Sequence, residues 1–169
     1  MYDMARIGAN GYFDAQSADE RYEMKVKTAQ LRTKKYQSQA FAKAGGCLPY
    51  PAPANTPEFV QQYITYYKTK RGYHARSVNS NKGWPLQAQT GWANTKILVH
   101  PEDFKNAALI VHGEKDHSRY MGEDTFKKLT GDNKEFYLVP NATHTDLYDG
   151  GDHEYISFDK IEAFLNQYL

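Results

Sequence analysis

Apolar residues recur differently in the two parts of the chain, and the change falls near residue 100. Residues 1–13 show no clear period and contain Gly8, Asn10 and Gly11, so an irregular segment is expected there. Ser17-Ala-Asp-Glu20 has the spacing of a capping box and predicts a helix running to about Lys43, stopped by Gly45-Gly46. Tyr22, Val26, Ala29, Leu31, Tyr36, Ala40 and Phe41 are thin apolar content for that length, which predicts a partly exposed helix lying on other elements. Pro49, Pro51 and Pro53 should hold the next segment extended. Thr56-Pro57 reads as an N-cap followed by proline at the first helical position. The helix it opens carries Phe59, Val60, Tyr63, Ile64 and Tyr67 and should end near Lys70-Arg71-Gly72. Residues 73–95 form a long polar stretch with Trp84 and Trp92, of the kind that borders binding sites.

Beyond residue 100 the pattern shortens. Ala107 to Val111 is a continuous apolar run, consistent with a strand buried on both faces. Ser118 is placed to cap a helix carrying Tyr120, Met121, Phe126 and Leu129, closed by Gly131. Glu135 to Val139 predicts a second strand, ended by Pro140, and Ser157 a last helix with Phe158, Ile161, Phe164, Leu165 and Tyr168. Strand, helix, strand, helix with short connections predicts a parallel α/β layer. Two strands do not make a stable sheet alone, so something is missing.

Composition sharpens this. Only 40% of the 169 residues are hydrophobic even with 14 tyrosines counted, which is little core material for the length. The net charge of +1 hides a split: residues 1–100 hold 14 Lys+Arg against 6 Asp+Glu, and residues 101–169 hold 7 against 14. Nine tyrosines in the basic part argue against disorder there. No apolar run approaches a membrane span, no signal-peptide pattern opens the chain, and the single cysteine, Cys47, rules out an internal disulfide. A cytoplasmic location with no membrane partner is the expectation.

The candidate chemistry lies past the strands. His112-Gly113-Glu114-Lys115-Asp116-His117 follows the first, and Pro140-Asn141-Ala142-Thr143-His144-Thr145-Asp146 follows the second. An acid and then a histidine beyond matched strand ends are placed to meet, in the order of the second half of a nucleophile–acid–histidine triad. The bland alternative is that Asp116 caps the following turn and His144 is an ordinary loop histidine. The stretches from Ala108 to Arg119 and from Val139 to Tyr148 resemble the C-terminal end of an α/β-hydrolase, nearest to the bacterial dienelactone-hydrolase-like and acetyl-xylan-esterase-like enzymes. The resemblance implies that residues 1–100 are helical cap and connecting segments and that 101–169 supply the last two parallel strands and their helices. It further implies His144 as general base and Asp116 as its orienting acid, acting on a small-molecule ester without cofactor or metal.

One part of that pattern is absent. None of Ser17, Ser38, Ser77, Ser80, Ser118 or Ser157 stands in a Gly-x-Ser-x-Gly context between a strand and a helix, and no oxyanion-hole segment is present. The isolated chain is therefore expected to be inactive. Gly45-Gly46-Cys47-Leu48-Pro49 nearly matches an elbow, but it follows a basic helix, and the prolines after it forbid the helix that would activate a thiol. Three other readings remain open. His112, His117, His144, Asp146, Asp149, Asp152 and His153 form a metal-capable set without a tight ligand spacing. The tyrosine-rich basic part offers stacking surfaces for single-stranded nucleic acid, although helical packing explains it better and no nucleic-acid partner is expected. Finally, the chain suits a non-enzymatic truncated product, or a subunit that completes a sheet with a second copy or a complementing chain. Trp84, Trp92 and Tyr73 suggest an apolar or carbohydrate-compatible wall and nothing finer.

Overall fold

The computed structural model describes the chain except residues 1, 2, 41, 44–47, 82 and 97. It divides into two compact units, Asp3–Ile97 and Leu98–Leu169. The expectations for Gly45, Gly46 and Cys47 lie outside the described residues.

The first unit begins with a helix where an irregular segment is expected. Asp3 accepts from the Arg6 amide at 2.9 Å and caps α1, Met4–Asn10. Ala5 and Ala9 are buried, and α1 packs on α4, Gln89–Asn94. A Cβ on Gly8 would come within 3.2 Å of the Ala93 amide nitrogen, so the glycine that looks like a breaker is a place of close helix approach. The capping box forms as predicted on α2, Ala18–Ser38, with Ser17 and Glu20 exchanging bonds of 3.2 and 2.8 Å. The helix stops short of Lys43 because Gln39 turns left-handed and its amide closes on the Lys35 carbonyl at 2.7 Å. Thr28 is its one residue classed as buried, in keeping with its thin apolar content.

Between Glu58 and Tyr67 lies α3, shorter than the pattern suggests. Pro57 holds the cap position, and its carbonyl accepts from Val60 and Gln61, while the Thr56 hydroxyl is spent on the Pro53 carbonyl. The polar stretch 73–95 is partly regular. Pro85 bridges to Lys43, α4 follows, and the Trp84 and Trp92 rings meet at 4.8 Å.

The second unit holds all the sheet found among the described residues. β1, Ala108–Gly113, pairs in parallel with β2, Lys134–Val139, in a register that sets Ala108 against Lys134 and Gly113 against Val139. Helix α5, Arg119–Lys128, connects them and contacts both strands. Ile110, Met121, Leu129 and Val139 are buried. Leu109 and Val111 are only half-buried, so β1 is not covered on both faces as expected. The carbonyls of Phe126 and Leu129 are taken by the Lys134 ammonium, which closes α5 before Gly131 is reached. A short α6, Asp146–Asp149, and a terminal α7, Phe158–Tyr168, complete the unit. Neither Ser118 nor Ser157 makes the capping bond expected of it.

The expected fold class is corrected on these facts. Of the described residues 51% are helical and 9% are in strand, and the only sheet among them is one parallel pair. The chain is helix-rich, and nothing in this architecture indicates the C-terminal part of an α/β-hydrolase. Helix at 4–10 and 89–94, where polar and glycine-containing sequence predicts loop, moves the balance. Among the described residues no helix is long and apolar enough to cross a membrane.

Two glycines should respond oppositely to alanine. A Cβ on Gly113 would collide with the backbone carbonyl of Ala142, whereas one on Gly91, within α4, meets nothing within 4 Å. Gly113→Ala is expected to cost about 3 kcal/mol and Gly91→Ala to gain up to about 1 kcal/mol, read from urea midpoints.

Candidate active site

The parallel register releases both loops side by side, because Gly113 and Val139 are paired at the strand ends. Backbone bonds then stitch the loops together. The Glu114 amide donates to the Val139 carbonyl and the Lys115 amide to the Ala142 carbonyl, each at 2.9 Å. Glu114 returns a carboxylate oxygen to the Asn141 amide at 2.9 Å. Asn141 has φ 60°, a left-handed conformation that asparagine tolerates, and this turns the chain toward His144. Asp146 accepts from both the amide and the hydroxyl of Thr143, at 2.9 and 2.7 Å, and fixes the turn that carries His144.

Asp116 and His144 meet there. The His144 Nδ1 lies 3.2 and 3.1 Å from the two carboxylate oxygens of Asp116. Two further residues converge on the same carboxylate. The His112 Nδ1 is 2.8 Å from Oδ2, and the amide and hydroxyl of Ser118 donate to Oδ1 at 2.7 and 2.8 Å. Asp116 therefore does cap the following turn, and it holds His144 as well. Its burial alone would raise the carboxyl pKa. Hydrogen bonds from His112 and His144, electrostatic attraction to the His144 ring and the Ser118 amide outweigh this and hold it well below the usual carboxylate range.

An ionised carboxylate only accepts, so both His112 and His144 carry their proton on Nδ1. That leaves Nε2 of His144 as the basic nitrogen, and it receives the Tyr148 hydroxyl at 2.9 Å. Ser118 touches His144 on the Nδ1 edge, 3.2 Å away, and donates to the acid; it is not on the side a nucleophile would use.

Few members of the metal-capable set come together. Among the described residues, Asp116, His117 and His144 bring ligand atoms within 4.8 Å of one another. Both Asp116 oxygens already accept hydrogen bonds, so an ion would have to displace them. Asp146 is engaged with Thr143, Asp149 accepts from the Gly151 amide, and the exposed His153 meets the Tyr155 ring edge to face. Sequence reasoning passes over His112, Ser118 and Tyr148 as partners of the pair. The available signal was spacing: His112 stands four residues before Asp116, and Tyr148 four after His144.

No protein-family model matches the chain. It is 34% identical over 175 residues to the uncharacterized protein PA2218 of Pseudomonas aeruginosa, across its whole length and 44% of that protein. The crystal structure of hypothetical protein PA2218 from the same organism has a TM-score of 0.91 at 33% identity, with all of this chain and 51% of that one covered. The chain thus spans about half the length of the relative it matches, and it shares the backbone of that portion.

Burial pushes His117 from 6.5 down to about 4; the Asp116 charge opposes this, and the neighbouring His144 and His112 add to it. Between those two pH values the unfolded chain binds a proton that the folded chain refuses, so folding stability falls as pH drops from 6.5 to 4. The loss is on the order of 3 kcal/mol. His117→Phe should lack that component, and denaturant unfolding of both proteins at pH 7 and pH 4.5 checks it. An identical pH dependence in the two would refute the assignment.

Proposed function

We propose that Asp116 and His144 are the acid and the general base of a hydrolase that cleaves an ester or similar acyl bond of a small molecule, with the nucleophile supplied from outside this chain. The observation that carries the reading is the 3.1 Å contact between the His144 Nδ1 and a buried, ionised Asp116, which leaves the opposite ring nitrogen as the base. In the reaction, Nε2 takes the proton of the attacking hydroxyl or thiol as that group bonds to the acyl carbon. The imidazolium, steadied by the Asp116 charge, returns the proton to the departing alcohol. Water then repeats the sequence on the acyl-enzyme. The Tyr148 hydroxyl has to leave Nε2 before a nucleophile can engage it; Tyr148 is 40% exposed on the short α6 and has room to do so. A lone cysteine suits a reducing compartment, and we place the reaction in the cytoplasm on that ground.

One observation favours a second reading, a non-enzymatic subunit. Among the described residues β1 and β2 form a sheet of two, so each has an outer edge able to pair with a second copy or a complementing chain.

Short-chain p-nitrophenyl esters test the first reading in the protein assembled with the component that supplies the nucleophile. His144→Ala should lower kcat by about 10³-fold or more and Asp116→Asn by about 10⁴-fold, with KM little changed. Unchanged kcat in His144→Ala would sink the proposal. The 169 residues alone should neither turn over these esters nor label with acyl probes; rapid labelling lost on Cys47→Ala would show a nucleophile within the chain. A dimer by light scattering, with no esterase activity in any assembly of the protein, would instead support the second reading.

A further inference from the structure

We infer that His112 is a positioning residue: from inside the sheet it donates Nδ1–H to Asp116 and sets the plane in which that carboxylate meets His144. This rests on Asp116 and His144 being the acid and the base.

Asp116 stands on a turn, and the backbone bond from its own amide to the Gly113 carbonyl, 3.1 Å, leaves the carboxylate free to rotate. Besides His144 itself, two groups remove that freedom. Ser118 holds Oδ1 from within the same turn, so it moves with Asp116. His112 holds Oδ2 from β1, an element fixed by its pairing with β2. Only the His112 bond ties the carboxylate to the sheet. The same sheet also carries, past β2, the loop that presents His144.

The ring of His112 is itself clamped. It is fully buried and lies nearly parallel to the Phe136 ring, with centroids 5.9 Å apart and planes at 15°. On its other edge, α5 approaches so closely that a Cβ on Gly122 would collide with His112 Nε2 and Cδ2. Strand, facing aromatic and helix backbone together leave the imidazole one orientation, with Nδ1 at Asp116. A histidine buried only to fill space would not need the one nitrogen that can serve the acid to face it. Burying a polar ring costs stability unless its polar atoms are paired, and the bond to the acid pairs Nδ1. The bond also opposes what burial does to the carboxyl, keeping it ionised beside His144.

The test uses the protein assembled with its nucleophile-supplying component, p-nitrophenyl acetate, and ¹⁵N-edited NMR of the imidazoles. His112→Phe keeps the packing on Phe136 and removes the donor. It should lower kcat 10- to 100-fold with KM unchanged, and broaden or abolish the protected Nδ1–H resonance of His144. His112→Gln, which restores an N–H donor, should recover a large part of both. Gly122→Ala, which displaces the ring, should reproduce the His112→Phe losses, and the double variant should be no worse than His112→Phe alone. A His112→Phe enzyme with kcat within twofold of wild type and the His144 resonance intact would overturn the inference. So would a wild-type spectrum in which His112 carries its proton on Nε2, a measurement that requires no variant to fold. Retained activity in His144→Ala would instead remove the functional reading beneath it. Loss of activity in His144→Ala with no effect in His112→Phe would remove only this inference.

Discussion

The Leu98–Leu169 unit is organised around one buried negative charge. Asp116 is 7% exposed, and a carboxylate taken that far from water is tolerated only where donors replace the water it lost. Four do so: the ring nitrogens of His112 and His144, and the amide and hydroxyl of Ser118. These come from a strand, a turn and a second loop, so the elements are bound to one another through the acid. Taking away a donor would leave a charge short of partners rather than one contact fewer, which is why such a cluster is settled as a whole.

That organisation depends on the register of two short strands. Parallel pairing brings Gly113 level with Val139, and the bonds from Glu114 and Lys115 across to Val139 and Ala142 hold the two exits together. Gly113 has to lack a side chain for the loops to come this close. The hydrophobic contribution is modest: Ile110 and Val139 of the strands, Met121 and Leu129 at α5, Ala142 and Phe164 are the buried hydrophobic side chains among the described residues of the unit. Polar bonds between backbone and side chains therefore carry much of the specificity at this end of the unit. The Asp3–Ile97 unit is built otherwise. Small residues let α1 and α4 touch, while α2 presents a mostly solvated surface and owes its start to a capping box rather than to burial.

Much of this was legible in the residues. The capping box at Ser17 and Glu20, the two strands, the helix between them and the terminal helix follow from local rules of spacing, and those rules operate over a few residues. Asp116 and His144 could be paired in advance because each follows a strand directly. The failures share a cause as well. Gly8 reads as a breaker, yet it lies in a helix where a side chain would meet its neighbour's backbone, and the polar stretch 73–95 contains the helix Gln89–Asn94. Ser118 has the look of an N-cap, but the nearby carboxylate takes its hydroxyl instead. The α/β expectation took the strand–helix–strand pattern of 101–169 for the end of a larger parallel sheet, whereas the chain is helix-rich and the only sheet among the described residues is one parallel pair.

What the sequence by itself determined is therefore what short-range physics controls: where helices begin under a capping side chain, where apolar runs become strands, and which ionisable residues follow those strands. Only the tertiary structure decided who meets whom. His112, Ser118 and Tyr148 become partners of the acid–base pair through a strand register and a helix approach that no short stretch encodes. The reason is that a side chain's hydrogen bonds go to whatever the fold brings within 3 Å, and for a buried charge that choice is made by all the surrounding elements at once.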